Sequence, residues 1–359
     1  MTSVAKPLPL EDLKHVLTQT REMWEEARNQ TFFITGGTGF FGMWLLESFA
    51  YANDSLRLNS CALVLTRDPA AFAKKAPHLA ERHDLKFIQG DVRTFTFPAG
   101  QFSHVIHAAT EASAKLNAEA PQEMLDTIIS GTRHVLDFAG QCGVRKLLVT
   151  SSGAVYGRQP PEMMRVSEEY SGAPDPLLLG SAYGEGKRVS EHLCAVHALR
   201  HGYEAKVARC FAFVGPHLPL DTHFAIGNFI RDGLAGDTIR VNGDGSPFRS
   251  YLYAADLAIW LWTILFQAPS CRPFNVGSDA ALSIRQIAEV VAAQFEPPVP
   301  VQVACVRQPC KPAERYVPNI DRARNELGLR AYISLADAIR RTAAWTHPAL
   351  SCPPATICK

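Results

Sequence analysis

The sequence predicts an α/β protein, with a doubly wound, Rossmann-like parallel sheet followed by a smaller C-terminal α/β region. Three observations lead to this fold class. From residue 31 onward, short apolar runs alternate with helical patterns, which is typical of a parallel sheet covered by helices on both faces. The first apolar run leads directly into a glycine-rich turn. After about residue 215, prolines interrupt the pattern.

The first part of the chain supplies the predicted strands and helices. Ahead of the first strand, an apolar stripe with helical spacing between residues 10 and 28 predicts an extra helix, packed on the domain or on a partner chain. The candidate strands are 31–35, 62–66, 86–89, 104–107, 146–150 and 205–209. The clearest helical patterns between them are 40–51, 121–141 and 182–201.

Composition and charge exclude several classes of protein. With 47% apolar and 20% charged residues, the chain of 359 residues can bury a large core. Its 36 basic and 35 acidic residues nearly cancel, so no charge excess attracts nucleic acid or an anionic membrane. The most apolar helical stretch, 257–266, is too short to span a bilayer, and the N-terminus lacks the apolar core of a signal peptide. Nine scattered cysteines without a CxxC pair predict a reduced, cytoplasmic protein without a metal site.

The stretch TGGTGFFG, residues 35–42, lies between a predicted strand and a predicted helix. In this context Gly36 allows a sharp turn, Gly39 removes a side chain where the backbone meets a pyrophosphate, and Gly42 lets helix and strand approach. The free N–H groups at the start of the helix favour a phosphate. We therefore predict a dinucleotide site here. The alternative is an ordinary glycine-rich turn between strand and helix.

A second decisive stretch, 181–191, carries Tyr183 and Lys187, which share one face of a predicted helix. A phenol has a pKa of about 10, too high for a base at neutral pH, and a nearby ammonium favours its ionised form. The pair therefore suits removal of a proton from a sugar hydroxyl while a hydride leaves the same carbon. Ser152, after the strand at 146–150, would hydrogen-bond the reacting oxygen. Alternatively, Ser151 and Ser152 only cap a turn.

The order of these motifs resembles the extended short-chain dehydrogenase/reductase superfamily, in particular its NAD-dependent nucleotide-sugar epimerase/dehydratase family. The resemblance covers roughly residues 31 to 345 and leaves the N-terminal helix outside it. The matching segments are TGGTGFFG at 35–42, GDV at 90–92, HAA at 107–109, SSGAVYG at 151–157, the Tyr183 and Lys187 pair, RCFAFVGP at 209–216, GDGSPFR at 243–249 and NVG at 275–277.

The resemblance implies a role for each matching residue. Tyr183 would be the base, Lys187 would hold the nicotinamide ribose and lower the pKa of the tyrosine, and Ser152 would orient the sugar hydroxyl. Besides Tyr183 and Lys187, the cofactor NAD would contact Gly36, Gly39, Phe40, Phe41, Gly42, Arg67, Asp91, Val92, Ala108 and Ala109. A nucleotide diphosphate sugar would contact Glu111, Ser152, Asn228, Arg249 and Arg315. Arginines suit the phosphates because the guanidinium fork donates two hydrogen bonds.

The resemblance also implies a division of the chain into domains and an assembly. The domains are an N-terminal helical extension (1–30), an NAD(P)-binding Rossmann domain (31–215), a substrate-binding region interleaved with the main sheet (216–346) and a tail (347–359). The family implies a homodimer, in which the helices at 121–141 and 182–201 pair with their copies.

Departures from the family pattern leave the reaction and the cofactor open. Family 4,6-dehydratases follow the strand-end hydroxyl with an acid pair, and UDP-glucuronate decarboxylases have a glutamate nearby, but here Gly153 and Ala154 stand at those places. Glu111 would substitute from the opposite wall or be a solvated loop residue. After the second strand, Arg67 favours the 2′-phosphate of NADP. Asp68 suits the ribose of NAD, the commoner cofactor of the family.

We expect an enzyme that oxidises C4 of a nucleotide diphosphate sugar to a 4-keto intermediate. Return of the hydride on the other face, which is 4-epimerisation, needs the fewest extra groups and is the leading hypothesis. Decarboxylation of a uronic acid follows closely, because segments 183–189 and 243–249 are similar to the decarboxylase version, and dehydration is third. Two other classes stay open: an NADPH-dependent keto-sugar reductase and a non-catalytic dinucleotide-sensing protein.

Overall fold

The computed structural model describes residues 4–110, 114–222, 224–306 and 312–347. Its helices are α1 (Leu10–Thr20), α2 (Phe40–Leu56), α3 (Pro69–Lys75), α4 (Pro77–Ala80), α5 (Ala114–Glu119), α6 (Pro121–Ala139), α7 (Ala182–His201), α8 (Ala225–Leu234), α9 (Ala254–Gln267), α10 (Ile284–Ala292), α11 (Asp321–Leu327) and α12 (Leu335–Thr346). Its strands are β1 (Thr31–Thr35), β2 (Cys61–Thr66), β3 (Leu85–Gln89), β4 (His104–His107), β5 (Lys146–Ser152), β6 (Glu204–Cys210), β7 (Phe213–Val214), β8 (Ile239–Val241), β9 (Phe248–Arg249), β10 (Leu252–Tyr253), β11 (Pro273–Val276), β12 (Leu282–Ser283), β13 (Val301–Val303) and β14 (Arg315–Tyr316).

Parallel strands form a seven-stranded central sheet in the order β11-β6-β5-β4-β1-β2-β3. The order reverses between β1 and β4, so the carboxyl ends of these two strands open a crevice of the kind in which doubly wound sheets bind ligands. Strand β11 comes from the C-terminal part of the chain and pairs with β6. The Rossmann-like α/β fold predicted from the sequence is therefore confirmed.

All six strands predicted from the sequence form, with small shifts of their ends. β1 and β4 have the predicted bounds, whereas β5 runs two residues further than predicted and ends at Ser152. It continues because Ser151 and Ser152 keep pairing with Arg209 and Cys210 of β6. The prediction ended this strand too early, because consecutive serines followed by glycine are typical of a turn.

The N-terminal extension packs on the rest of the chain through α1 and a 3-10 helix, Arg21–Ala27, where the sequence predicted one continuous helix. α1 lies against α2 and α9. Trp24 is fully buried, and its ring centre lies 4.6 Å from that of Trp262 in α9. Asp12 accepts the Tyr253 hydroxyl at 2.6 Å and pairs with Arg341 of α12. The extension therefore ties the C-terminal helix to the core.

Helix α9 contains the most apolar stretch of the sequence and is buried along almost its whole length. It packs against β5 and β6, and its Trp260 and Trp262 have no exposed surface. The prediction of a buried core helix is therefore confirmed. Across the described residues, none of the helices has the length and apolarity that a membrane span needs.

Candidate active site

The turn after β1 holds its shape through two close backbone contacts. Gly36 has a φ of 74°, and a Cβ there would lie 2.4 Å from the carbonyl carbon and oxygen of Ala108. A Cβ on Gly42 would lie 2.3 Å from the oxygen of Gly36. A Cβ on Gly39, by contrast, would have its nearest neighbour at 3.6 Å. The folding of the turn thus accounts for Gly36 and Gly42, whereas Gly39 leaves room for a ligand beside the backbone.

Helix α2 begins at this turn without any side chain that caps its first N–H groups. These groups and the helix dipole suit a pyrophosphate, so the turn fits a dinucleotide. Ala108 and Ala109 lie against it, since their N–H groups donate to the oxygen and to Oγ1 of Thr35 at 3.1 and 3.3 Å. Phe40 and Phe41 begin α2 with ring centres 5.7 Å apart and pack, partly buried, against the core.

The remaining predicted cofactor residues follow β2 and β3. Arg67 is exposed, whereas Asp68 caps α3 by accepting a backbone N–H at 2.8 Å. Asp91 pairs with Arg93 at 2.7 Å, and the hydrogen bond from Arg93 lowers the pKa of Asp91 to about 2. Val92 packs against α6. Both carboxylates therefore already have partners, which the sequence did not indicate.

The end of β5 and the first turn of α7 bring Ser152, Tyr183 and Lys187 together. The Lys187 ammonium donates to Thr110 Oγ1 at 2.9 Å and to the Thr150 oxygen at 2.7 Å. It lies 5.9 Å from the centre of the Tyr183 ring. Ser152, at the end of β5, lies near Tyr183 and lowers its pKa, so a hydroxyl, a phenol and an ammonium lie at the same edge of the sheet.

Burial controls the proton affinities of this group. It raises the pKa of Tyr183 to about 12, and the hydrogen bond with Ser152 offsets only part of this increase. Burial also lowers the pKa of Lys187 to about 8. The ammonium therefore does not by itself bring the pKa of the phenol near neutrality. A further positive charge beside Tyr183 is needed to ionise it.

The two serines at the end of β5 have different partners. Ser151 Oγ donates to a Glu191 carboxylate oxygen at 2.5 Å. Glu191 also accepts from the Arg209 guanidinium at 2.7 Å, and Arg209 donates to the Tyr156 hydroxyl at 2.9 Å. This network holds β5, β6 and α7 together. Within the described part of the chain, Ser152 has no such carboxylate partner; its Oγ accepts the N–H of Ala154 at 3.1 Å and so caps the turn after β5.

A buried chain of hydrogen bonds, which the sequence did not predict, joins the glycine turn to α7. Thr35 Oγ1 lies 2.8 Å from His107 Nδ1, and His107 Nε2 lies 3.1 Å from Thr132 Oγ1. Thr132 in turn contacts Ser190 Oγ at 3.0 Å. Burial lowers the pKa of His107 to about 3, so the ring is neutral. These hydrogen bonds fix α7 relative to the glycine turn.

Asn117 of α5 is a second residue that sequence reasoning missed. Its side-chain amide donates to the Gly180 oxygen at 2.6 Å and accepts the N–H of Tyr183 at 2.9 Å. Asn117 therefore clamps the start of α7. No sequence signal links two such positions, because the contact forms only after α5 and α7 have packed.

Of the predicted substrate residues, Ser152 ends β5 and Glu111 falls outside the described residues, whereas the other three lie in the C-terminal region. Arg315 stacks over the Phe248 ring at 4.2 Å, and its buried Nη1 has no hydrogen-bond partner among the described residues. A buried N–H group without a partner is costly and points to an anionic ligand. Arg249 donates to the Phe248 oxygen at 2.8 Å, and β9 and β14 pair so that Arg249 shares a sheet face with Tyr316.

Asn228 of α8 already has partners of its own. Its amide donates to the Thr222 oxygen at 3.0 Å, and its oxygen accepts from Arg231 at 3.1 Å. No contact of the described residues joins Asn228 to Ser152 or Tyr183. The structure thus brings the predicted base, ammonium and serine together, and leaves Asn228 in a separate hydrogen-bonded group.

Tyr316 of β14 reaches the catalytic group although the sequence analysis did not select it. Its hydroxyl lies 3.4 Å from Ser152 Oγ, and its ring centre lies 4.7 Å from that of Phe211. The two partners are 164 positions apart in the chain. A two-residue strand carries no periodic signal, so nothing local indicated this contact.

A Rossmann-like sheet with a dinucleotide turn, and a serine, tyrosine and lysine set at the adjoining strand and helix, define an extended short-chain dehydrogenase/reductase. A sequence profile described as the NAD dependent epimerase/dehydratase family matches residues 32–277, which is more than half of the chain. This chain belongs to that family. Its cofactor is accordingly NAD, and the glycine turn has room for the pyrophosphate.

Individual relatives match about nine-tenths of the length of the chain. UDP-glucuronic acid decarboxylase 6 from Arabidopsis thaliana is 28% identical over 332 residues, covering 90% of this chain and 92% of the relative. The solved UDP-glucose 4-epimerase from Thermotoga maritima is 20% identical, with a TM-score of 0.74 and coverage of 89% and 99%. The dTDP-glucose 4,6-dehydratase from Streptomyces venezuelae, solved with NAD, is 21% identical, with a TM-score of 0.73 and coverage of 89% and 97%. At these identities the two structures establish the fold alone.

Proposed function

We propose that this protein is an NAD-dependent 4-epimerase of a nucleotide diphosphate sugar. The observation that carries the proposal is the meeting of Ser152, Tyr183 and Lys187, with Gly153 and Ala154 where a dehydratase has its acid pair. Elimination of water needs an acid and a base of its own, and the residues that follow Ser152 supply neither. Epimerisation needs only the removal and return of one proton and one hydride.

The chain's own residues would handle the proton. Bound NAD would supply the hydride acceptor and a positively charged ring. Tyr183 would take the proton of the C4 hydroxyl and later return it. Because burial raises the pKa of Tyr183 to about 12, its ionisation depends on added positive charge from Lys187 and the oxidised cofactor. Two N–H groups of Lys187 are already used, on Thr110 and Thr150, which leaves the third for a ribose hydroxyl.

The substrate's diphosphate would bind at Arg315, with Asn228 as a further donor. The buried, unpartnered Nη1 of Arg315 supports this assignment. Arg249 lies beside Tyr316 on the opposite face of the small sheet and would contact another part of the nucleotide sugar. Solved neighbours include an epimerase described with UDP-glucose and another protein described in complex with UDP-glucose and NAD. A nucleotide diphosphate sugar is therefore the substrate class that we propose for this chain.

Decarboxylation of a nucleotide-linked uronic acid is the second candidate. The observation that favours it is the run of relatives named UDP-glucuronic acid decarboxylase, 27–28% identical over 85–90% of this chain. Oxidation at C4 turns a uronic acid into a β-keto acid, which loses carbon dioxide without an additional acid pair. The same Ser152, Tyr183 and Lys187 set would therefore suffice for this reaction.

Product analysis separates the two candidates. The protein is incubated with NAD and, in turn, UDP-glucose, UDP-glucuronate and their N-acetyl relatives, and products are examined by mass spectrometry and NMR. A product of unchanged mass with inverted C4 supports the epimerase. Loss of carbon dioxide from UDP-glucuronate would refute the epimerase proposal and support the decarboxylase. Steady consumption of NADPH would contradict both candidates. Tyr183→Phe serves as the control for contaminating activity.

We further propose a cytoplasmic homodimer. Helices α6 and α7 pack side by side, and α7 exposes Val189, Val196 and Leu199, the last with 90% of its surface accessible. A partner copy would cover this apolar face.

The described cysteines are free thiols, which suits a reducing compartment such as the cytoplasm. Sedimentation should give twice the 39.4 kDa chain mass, and introducing glutamate at Val196 and Leu199 should give the monomer. A monomeric wild type would refute this assembly.

A further inference from the structure

Ser152 lies between two phenols, and only one of them belongs to the predicted catalytic set. Tyr183 comes from α7 and Tyr316 from β14, and the Ser152 side chain lies close enough to each phenol to offset part of the rise in its pKa that burial causes. The distance from Ser152 Oγ to the Tyr316 oxygen is 3.4 Å. This is longer than a closed hydroxyl pair, and catalytic hydrogen bonds commonly tighten only when substrate binds.

The end of β5 is shaped to admit the second phenol. A Cβ at Gly153 would lie 2.8 Å from the Tyr316 oxygen and 2.6 Å from the Phe211 ring. Any side chain at this position would therefore push Tyr316 away from Ser152. Gly153 occupies a place where dehydratases of the family have an acid, so a phenol is in reach of the serine and neither of the next two residues carries a carboxylate.

The hydrogen-bonding capacity of Ser152 explains what the second phenol does. A serine hydroxyl has one proton to donate and two lone pairs that accept. The N–H of Ala154 donates to Ser152 Oγ at 3.1 Å and occupies one lone pair. The Tyr316 hydroxyl can occupy the other. With both lone pairs filled, Ser152 can only donate its own proton, and the neighbouring Tyr183 phenol, whose pKa Ser152 lowers, is the acceptor that we assign to it.

We infer that Tyr316 is a positioning residue that orients the Ser152 proton toward the Tyr183 oxygen and thereby favours the ionised base. The inference rests on the proposed function, in which Tyr183 takes the proton of the sugar hydroxyl. Without the Tyr316 hydroxyl, one lone pair of Ser152 is free to accept the proton of Tyr183, which favours the neutral phenol. Tyr316 and Ser152 neither gain nor lose a proton in the cycle.

The ionisable groups around Ser152, Tyr183 and Tyr316 are compatible with Tyr316 as a hydrogen-bond donor to Ser152. Burial raises the pKa of Tyr316 well above its usual value, so Tyr316 remains a donor. Among the residues that the structure describes, the other ionisable groups facing the phenols are Cys210 on β6, Arg249 on β9 and Lys187 on α7. Burial raises the pKa of Cys210 to about 12 and lowers that of Lys187 to about 8. The variants described below leave all three of these groups unchanged.

The test is a pH titration of tyrosinate absorbance in protein saturated with NAD, which needs no knowledge of the sugar. Tyr183→Phe identifies the part of the signal that belongs to Tyr183. Tyr316→Phe keeps the ring against Phe211 and removes only the hydroxyl, and we expect it to raise the Tyr183 midpoint by about one pH unit, a tenfold loss of phenolate at neutral pH. Tyr332→Phe, whose ring lies 5.3 Å from His15, is the matched control and should not shift the midpoint.

The outcomes distinguish this inference from the proposed function. An unchanged Tyr183 midpoint in Tyr316→Phe overturns the inference alone. A wild-type titration that Tyr183→Phe does not alter overturns the base assignment, and the inference with it. Gly153→Ala provides a second route, since its Cβ displaces Tyr316 while every tyrosine remains. Gly153→Ala should raise the titration midpoint of Tyr183 in the wild type but should cause no further increase in Tyr316→Phe. Equal increases in both proteins would show that the Tyr316 hydroxyl is not responsible for the effect.

Discussion

The cofactor side and the substrate side of the crevice are built in different ways. On the cofactor side, one continuous stretch, 35–42, folds against the backbone that follows β4, with Gly36 in direct contact with Ala108. On the substrate side, Tyr316 arrives on the two-residue strand β14 and lies near Ser152, 164 positions earlier in the chain. Local backbone geometry therefore fixes dinucleotide binding. The long-range placement of a few side chains would decide the reaction of the nucleotide sugar that we propose as substrate.

We expect the largest effect, on both stability and NAD affinity, from a substitution that crowds the backbone on the cofactor side. Gly36→Ala places a Cβ 2.4 Å from the Ala108 carbonyl at a φ of 74°, so α2 has to move. We expect the free energy of unfolding to fall by about 2–4 kcal/mol and the affinity for NAD to fall roughly 100-fold or more. Urea unfolding and calorimetry measure the two quantities.

Gly39→Ala is the matched control for that prediction. Its Cβ has 3.6 Å to the nearest atom, so the free energy of unfolding should change by less than about 1 kcal/mol. The affinity for NAD should still fall, because the new methyl group occupies space that we assign to the pyrophosphate. Equal destabilisation by the two substitutions would contradict the view that Gly36 is required by the fold and Gly39 by the ligand.

On the substrate side, we expect a substitution that lowers the affinity for UDP without lowering the stability of the unliganded protein. Arg315→Met keeps aliphatic packing on Phe248 and removes a buried N–H that lacks a partner among the described residues. The affinity for UDP, measured by calorimetry, should fall about tenfold or more, because a charge-assisted hydrogen bond contributes roughly 1.5–3 kcal/mol. The unliganded protein should be as stable as the wild type or more stable.

Arg240→Met on β8 provides the control for Arg315, since it removes the same charge from an exposed position. It should leave the affinity for UDP unchanged. If Arg315→Met bound UDP as tightly as the wild type, the diphosphate would have to bind elsewhere, and the two sides of the crevice would not divide the ligands as we propose.

The smallest effect is expected at Asp91, on the cofactor side. The hydrogen bond from Arg93 lowers the pKa of Asp91 to about 2, below the usual value of about 3.9. The pair therefore stabilises the fold above about pH 4, and this contribution is lost as the pH falls toward 2. Because the pair is partly exposed, Asp91→Asn should cost less than about 1 kcal/mol at pH 6. Urea unfolding should show this difference shrinking at acid pH, and a constant difference would refute the assignment.

The same contrast explains what the sequence could predict. The strand that leads into the glycine turn and the helix that carries Tyr183 and Lys187 are signalled by neighbours within a few positions, and their bounds were close to those observed. Tyr316 and Asn117 depend on contacts between segments that meet only in the folded chain. Burial, and not the nearby Lys187, dominates the pKa of Tyr183. The sequence therefore could not show that this pKa is raised rather than lowered.

The strands of the C-terminal region show why this part was less predictable. β9, β12 and β14 have two residues each, too few for an alternating pattern to appear. They form because each pairs with a neighbour in a three-stranded sheet. Sequence reasoning selected Arg249 and Arg315 from the family resemblance, but it had no basis for the face on which each side chain lies.

The central claim is that Tyr183, beside Ser152 and Lys187, removes the proton of the sugar hydroxyl as the hydride leaves. The most direct test is the single-turnover rate of product formation by NAD-loaded wild type and Tyr183→Phe, with whichever UDP-sugar the product analysis identifies. The account predicts that Tyr183→Phe is slower by about 10²–10⁴-fold while its affinity for NAD stays within about twofold. Equal rates in the two proteins would contradict it.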